Sequence, residues 1–191
     1  TQSVRSVAFA PHGRELVSTS SDCSVRVWDL ESQREVSHFT GHAKPVNSCT
    51  YSADGRQLIT ASDDQTIKVW DAQGGSQVRK MRLQDESHGN AVAFSPNRKL
   101  LATANSDCTV TLWNVLSGAA LAVLTGHTRS VSSVAFSPDG TLLASTSEDK
   151  KLLLYQAADQ ETALLREILH PEGVHHVTFH PREFELLVAG D

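Results

Sequence analysis

The chain is predicted to be all-β, an array of four-stranded antiparallel sheets that stack on one another. Three observations carry the prediction. An aromatic residue recurs at a nearly fixed interval: Trp28, Trp70, Trp113 and Tyr155 stand 42, 43 and 42 residues apart. Each sits near the end of a short apolar run: Val25-Arg-Val-Trp-Asp29, Ile67-Lys-Val-Trp-Asp71, Val110-Thr-Leu-Trp-Asn114 and Leu152-Leu-Leu-Tyr-Gln156. Between these runs, Pro, Asp and Gly punctuate segments of strand length and leave little room for helix. A repeat of this length sets the architecture ahead of local propensity.

The elements follow in the same order in every unit. An apolar strand runs into a turn in Val7-Ala-Phe-Ala-Pro-His-Gly13, Ser48-Cys-Thr-Tyr-Ser-Ala-Asp-Gly55, Val92-Ala-Phe-Ser-Pro-Asn97 and Val134-Ala-Phe-Ser-Pro-Asp-Gly140. Pro presets φ, Asp and Asn bond their own backbone, and Gly supplies positive φ, so these segments read as hairpins. Second strands follow at Leu16–Ser20, Leu58–Ser62, Leu101–Asn105 and Leu143–Ser147. An Asp-bearing turn leads into the aromatic strand, and a more polar fourth strand closes the unit. No unit can bury both of its apolar faces alone, so radial stacking is required.

Gly41-His42 and Gly126-His127 place a His 28 residues before an aromatic, and Asp22, Asp64, Asp107 and Asp149 each stand six before one. With these motifs the chain resembles the WD-repeat family over essentially its whole length. The resemblance implies a β-propeller, and within a blade a hydrogen-bonded chain of His, Ser or Thr, Asp and Trp. Carried over, His42, Thr60, Asp64 and Trp70 form a complete set. The unit ending at Tyr155 keeps His127, Ser145 and Asp149 but exchanges indole for phenol. The first unit has Ser18, Asp22 and Trp28, with its His slot falling before Thr1. The third has Thr103, Asp107 and Trp113, but its His slot is occupied by Asp85, and His88 lies three residues on. A Ser–His–Asp set also suggests a hydrolase; its recurrence in successive units argues for structure instead, since an active site would not repeat.

The whole chain, 1–191, reads as one array with units at about 1–40, 41–84, 85–125 and 126–169 and a half unit at 170–191. His170 aligns with the His slot, but no Asp-to-Trp strand follows, and Asp191 cannot fill the Asp slot. Four and a half blades fall short of the family's usual number, about seven. The expectation is therefore a segment of a larger propeller, with the remaining blades among its partners and with oligomerisation or instability of the isolated piece. Two copies closing one ring would give about nine blades, above the usual range. No signal peptide or transmembrane run is present. Cys23, Cys49 and Cys108 are spaced so that none pairs, which favours reduced thiols and an intracellular setting in cytoplasm, cytoskeleton or nucleus.

Net charge is −5, which argues against a general nucleic-acid surface. Arg5, Arg14, Arg26 and Arg34 leave a local basic face as an alternative, suited to phosphorylated ligands or RNA. No P-loop, dinucleotide fingerprint, nucleophile elbow or cysteine metal motif occurs, and no cofactor is implied. The histidines His170, His175, His176 and His180 do not suit a metal: His175 and His180 stand roughly 16 Å apart along one strand, and His175 and His176 point to opposite faces. The family resemblance implies a partner face at the strand starts and the adjoining loops. Here that face comprises Arg5, Asn47, Asn90, Ser132 and His175; Ser21, Asp63, Ser106 and Glu148 before the turn Asp; and Lys44, His88 and Arg129. The function expected is a non-catalytic scaffold for protein or peptide partners. The rival, a catalytic propeller, would need carboxylates or metal ligands converging on one channel, which the repeat does not offer.

Overall fold

A computed structural model describes residues 2–84, 87–157, 162–180 and 185–190. Every regular element among them is a strand, so the all-β expectation holds. Asp85 and Asp191 lie outside the described residues.

Four sheets have four strands each, hydrogen-bonded in chain order. The first holds β1 (Val4–Phe9), β2 (Glu15–Ser20), β3 (Val25–Asp29) and β4 (Arg34–Phe39). The second holds β5 (Val46–Tyr51), β6 (Gln57–Ser62), β7 (Thr66–Asp71) and β8 (Gln77–Arg82). The third holds β9 (Gly89–Phe94), β10 (Leu100–Asn105), β11 (Val110–Asn114) and β12 (Ala120–Leu124). The fourth holds β13 (Val131–Phe136), β14 (Leu142–Ser147), β15 (Lys151–Ala157) and β16 (Thr162–Leu169). A two-stranded sheet follows, β17 (Val174–Phe179) with β18 (Leu186–Gly190).

Two compact units divide the chain, Thr1–Gly89 and Asn90–Asp191. In the first, Val17, Val25, Val27 and Phe39 of one sheet bury against Val46, Cys49, Tyr51, Leu58 and Trp70 of the next. In the second, Leu100, Val110, Leu112 and Leu124 pack with Val131, Leu143, Leu153 and Tyr155, while Ala144 and Leu152 pack with Val177 and Phe179. Alternation along each strand sends one set of apolar side chains to each face, so a sheet finds cover only from its neighbours. Each fully buried Val or Leu contributes about 1.5–3 kcal/mol. These are the stacked blades of a β-propeller, here an incomplete set.

The turns explain the recurring Asp. Cys23, Gln65, Cys108 and Lys150, the residues after Asp22, Asp64, Asp107 and Asp149, have φ of 69°, 66°, 69° and 68°. The left-handed region disfavours side chains, and the preceding carboxylate offsets that cost. It accepts the N–H of Ser24, Thr66, Thr109 and Lys151 at 3.1, 3.0, 3.1 and 2.9 Å.

Two bulges recur through the sheets. The ladder of first with second strand skips a residue between Val4 and Ser6, Val46 and Ser48, Val131 and Ser133, and Val174 and His176. The residues left out of pairing are Arg5, Asn47, Ser132 and His175. On the outer strands the ladder skips Val36, Val78, Leu121 and Leu165, opposite the step into the aromatic. Each of these four aliphatics is about half exposed. A bulge re-aims the side chain of its extra residue, and here it does so at the same place in successive sheets.

Candidate functional site

In the second sheet the fold joins His42, Thr60, Asp64 and Trp70. The Trp70 indole N–H donates to Thr60 Oγ1 at 2.9 Å, and that hydroxyl donates to His42 Nε2 at 2.7 Å. His42 Nδ1 then donates to Asp64 Oδ2 at 2.9 Å. The donor order follows from the indole, which can only donate, and the carboxylate, which can only accept. Asp64 also takes the Ala43 N–H at 3.0 Å and the Thr66 hydroxyl at 2.5 Å. Burial pushes its carboxyl up, but the bonds from His42, Thr66 and Ala43 outweigh burial and hold it well below the usual range.

The fourth sheet repeats the arrangement with one gap. His127 Nε2 lies 2.8 Å from Ser145 Oγ, and Nδ1 lies 3.0 Å from Asp149 Oδ2. Burial lowers His127 from the ordinary imidazole range in spite of the carboxylate beside it, so the ring is held neutral. Burial raises Asp149, yet the N–H groups of Thr128 and Lys151, together with His127, bring it below the usual value. The Tyr155 hydroxyl is buried, and among the described residues no partner stands within hydrogen-bond distance of it. The phenol takes the packing position of the indole, and burial raises its hydroxyl above the ordinary range against a weaker opposing pull from Ser145.

Elsewhere the sets are partial. Trp28 donates to Ser18 at 2.8 Å in the first sheet. There the side of Asp22 is taken by Arg26, 3.8 Å away, which also lies 3.1 Å from Glu35. The Ser24 hydroxyl is the main cause bringing the Asp22 carboxyl down to about 2. In the third sheet Trp113 donates to Thr103 at 3.1 Å, Asp107 holds Thr109 at 2.6 Å, and Asn105 reaches Thr109 and Thr111 at 3.0 and 2.9 Å. Asp107 is exposed, unlike its counterparts in the second and fourth sheets. The His88 side chain is 42% exposed and lies 3.9 Å from Asp63.

The strand-start residues are engaged between sheets. Within the first unit, Asn47 Nδ2 donates to the Gly89 carbonyl at 3.0 Å and to Asp63 Oδ1 at 2.7 Å. Arg5 donates through Nη1 to Asn47 Oδ1 at 2.9 Å and through Nε to Ser21 Oγ at 2.8 Å. Within the second unit, Asn90 Nδ2 donates to the Val131 carbonyl at 2.8 Å and to Ser130 Oγ at 2.9 Å, and Ser132 Oγ donates to the Val174 carbonyl at 2.8 Å. Within the second unit, Asn90 and Ser132 each reach the carbonyl just before the corresponding position of the next sheet. These side chains clasp one blade to the next. The sequence did not disclose this use of them, because the bulge that aims three of the four donors is a property of pairing register.

Lys44, Arg129 and Glu148 are exposed, and so is His175. The loops carrying the two cations are tied down: Ser62 Oγ donates to the Lys44 carbonyl at 3.0 Å and Ser147 Oγ to the Arg129 carbonyl at 3.1 Å. Ser106 is half-buried. The four arginines of the first sheet do not form one face. Arg5 sits where β1 begins, whereas Arg14 and Arg34 sit at the hairpins on the opposite end of that sheet, and Arg26 is spent on Glu35 and Asp22. Among the described residues no three His, Cys, Asp or Glu side chains group as for a metal ion. His170 Nδ1 instead accepts the Glu172 N–H at 3.3 Å, and His176 Nδ1 lies 3.2 Å from Ser133 Oγ.

Residues 1–29, 33–71, 81–114 and 118–156 each match the family profile described as WD domain, G-beta repeat. Each match ends one residue past the aromatic, within its strand, and the last three begin at or near the outer strand of the preceding sheet. The repeat in sequence thus straddles two blades and ties them covalently. Striatin from Homo sapiens, Mus musculus and Rattus norvegicus is similar, 46% identical over 43 residues in each case. That similarity takes in 22% of this chain and 6% of each striatin, so the chain matches a small part of these relatives.

Proposed function

The chain belongs to the WD-repeat family, and from that premise we propose that it is a non-catalytic platform holding protein or peptide partners inside a larger assembly. One observation carries the reading: exposed charged residues at the strand starts stand on loops whose backbone is fixed by the blade network. Asp64 and Ser62 fix the loop of Lys44, and Asp149 and Ser147 fix that of Arg129. A surface fixed before binding loses little entropy on association. The hydrolase-like sets support the same reading, since Thr60 and Ser145 are fully buried and the Thr60 oxygen is capped by Trp70. A nucleophile must meet its substrate, and these hydroxyls meet only their own blade.

Exposed Val7 and Phe9 on β1, and Leu187 and Val188 on β18, are apolar surfaces that further blades would cover. Cys23, Cys49 and Cys108 are free thiols, in keeping with an intracellular setting. The test is charge reversal at Lys44, Arg129 and Glu148 together. Cross-linking to co-purifying proteins should fall sharply while the melting temperature stays within a few degrees. Partners retained undiminished by that variant would sink the assignment of this face.

A further inference from the structure

The strand-start residues of the first unit differ in how many donors they hold in reserve. Asn47 gives its amide to Gly89 and Asp63 and its oxygen to Arg5, so it is used on both sides. Arg5 is the exception. Nε is occupied by Ser21 and one Nη1 proton by Asn47, which leaves three of the five N–H donors of the guanidinium. The bonds fall on Nε and Nη1, so both Nη2 protons and one Nη1 proton stay free. Nη2 takes part in the planar forks through which a guanidinium holds a carboxylate or phosphate by two parallel bonds.

Both groups that hold Arg5 are neutral. Among the described residues no carboxylate pairs with it, in contrast to Arg26 and Lys151, which face Glu35 and Glu167 at 3.1 and 2.9 Å. Its side chain is nevertheless held at two points, and its place outside the β1–β2 ladder turns it away from strand pairing. The amide of Asn47 separates it from Asp63, taking Arg5 on the oxygen and Asp63 on the nitrogen. An exposed guanidinium that is oriented, unneutralised and left with three donors is equipped to receive an oxyanion at small entropic cost.

We propose that Arg5 is the receiving residue for an oxyanion, carboxylate or phosphate, carried by an extended acidic segment of a protein partner. The inference rests on the platform reading of this face and supplies its chemistry. Ser21 and Asn47 act as positioning residues that aim the fork. Lys44, exposed on the loop that leads into Asn47, adds long-range attraction, and Asp63 opposes it.

The test is a titration of the full chain with three pentapeptides whose central residue is phosphoserine, glutamate or serine. It is followed through the side-chain N–H resonance of Arg5, with Arg14 and Arg34 as internal controls at the other end of the sheet. Saturable movement of Arg5 alone with the phosphoserine peptide is expected, and none with serine. Movement with glutamate as well identifies a carboxylate as sufficient; movement with phosphoserine only identifies phosphate. Arg5→Lys keeps the charge but loses the fork, and should weaken binding about tenfold. Asp63→Asn should tighten it. Equal shifts at all three arginines, binding of the serine peptide, no saturation with either acidic peptide, or an Arg5→Lys variant that binds as well as wild type would each overturn the proposal. The titration needs no partner protein, so a failure here leaves the platform reading to its own charge-reversal test.

Discussion

The fourth blade carries a phenol where the second carries an indole. Trp70 hands its N–H to Thr60, whereas the buried Tyr155 hydroxyl has no partner within hydrogen-bond distance among the described residues. Removing a buried polar atom that has no partner should cost almost nothing, so Tyr155→Phe is expected to change stability by less than about 0.5 kcal/mol, or to raise it. His42→Ala leaves Asp64 and Thr60 short of partners and should cost about 1–3 kcal/mol. Denaturant unfolding of the two variants beside wild type checks both; a large loss in Tyr155→Phe would reveal a bond that the geometry lacks. At this scale spacing was informative. His42, Thr60, Asp64 and Trp70 stand where a tight turn and two paired strands must bring them together, and each has one role that its chemistry permits. The orphaned phenol was not legible, because it depends on a shortfall in reach between two rings that pack alike. Nor was the placing of Arg26 beside Asp22, which depends on side-chain reach along a strand.

Within each blade, strand and turn positions follow from alternation and from Pro, Asp and Gly, and they could be read before any coordinates. The bulges could not. They arise from how two strands pair, and the only trace in sequence is the recurrence of Val36, Val78, Leu121 and Leu165 at intervals of 42, 43 and 44. Their effect is large enough to measure. Leu112 is buried on β11 and should cost about 2–5 kcal/mol as Leu112→Ala, whereas Leu121→Ser, at a half-exposed bulge on the adjacent strand, should cost less than about 1 kcal/mol. Thermal or chemical unfolding of the pair decides it, and equal losses would mean that the outer bulge residue is packed. Asn47→Ala removes the bonds to Gly89 and Asp63 at once and should cost about 1–3 kcal/mol, since the Gly89 carbonyl is buried and loses a donor there. A neutral result would mean that the clasp holds nothing.

For the molecule as a whole, the buried imidazole sets how stability responds to acid. The folded chain lowers the affinity of His127 for protons, while the unfolded chain titrates near the ordinary value of about 6.5. Below that value the unfolded state carries more protons, so stability falls as pH drops from about 7 to 5. Asp64 and Asp149 are held below their ordinary range, so their contribution is present above about pH 4 and is lost on further acidification. Unfolding midpoints measured between pH 7 and 5 should decline, and His127→Gln should flatten the decline; a slope unchanged in that variant would move the cause elsewhere. The residue that each first strand leaves unpaired also gives the repeat a division of labour that a protein engineer can use. Register, turn and core are fixed by the other positions, so residues 5, 47 and 132 can be exchanged as a cassette. Any side chain able to give one proton to the next blade would preserve the scaffold, and whatever donors it has left over would write a new specificity.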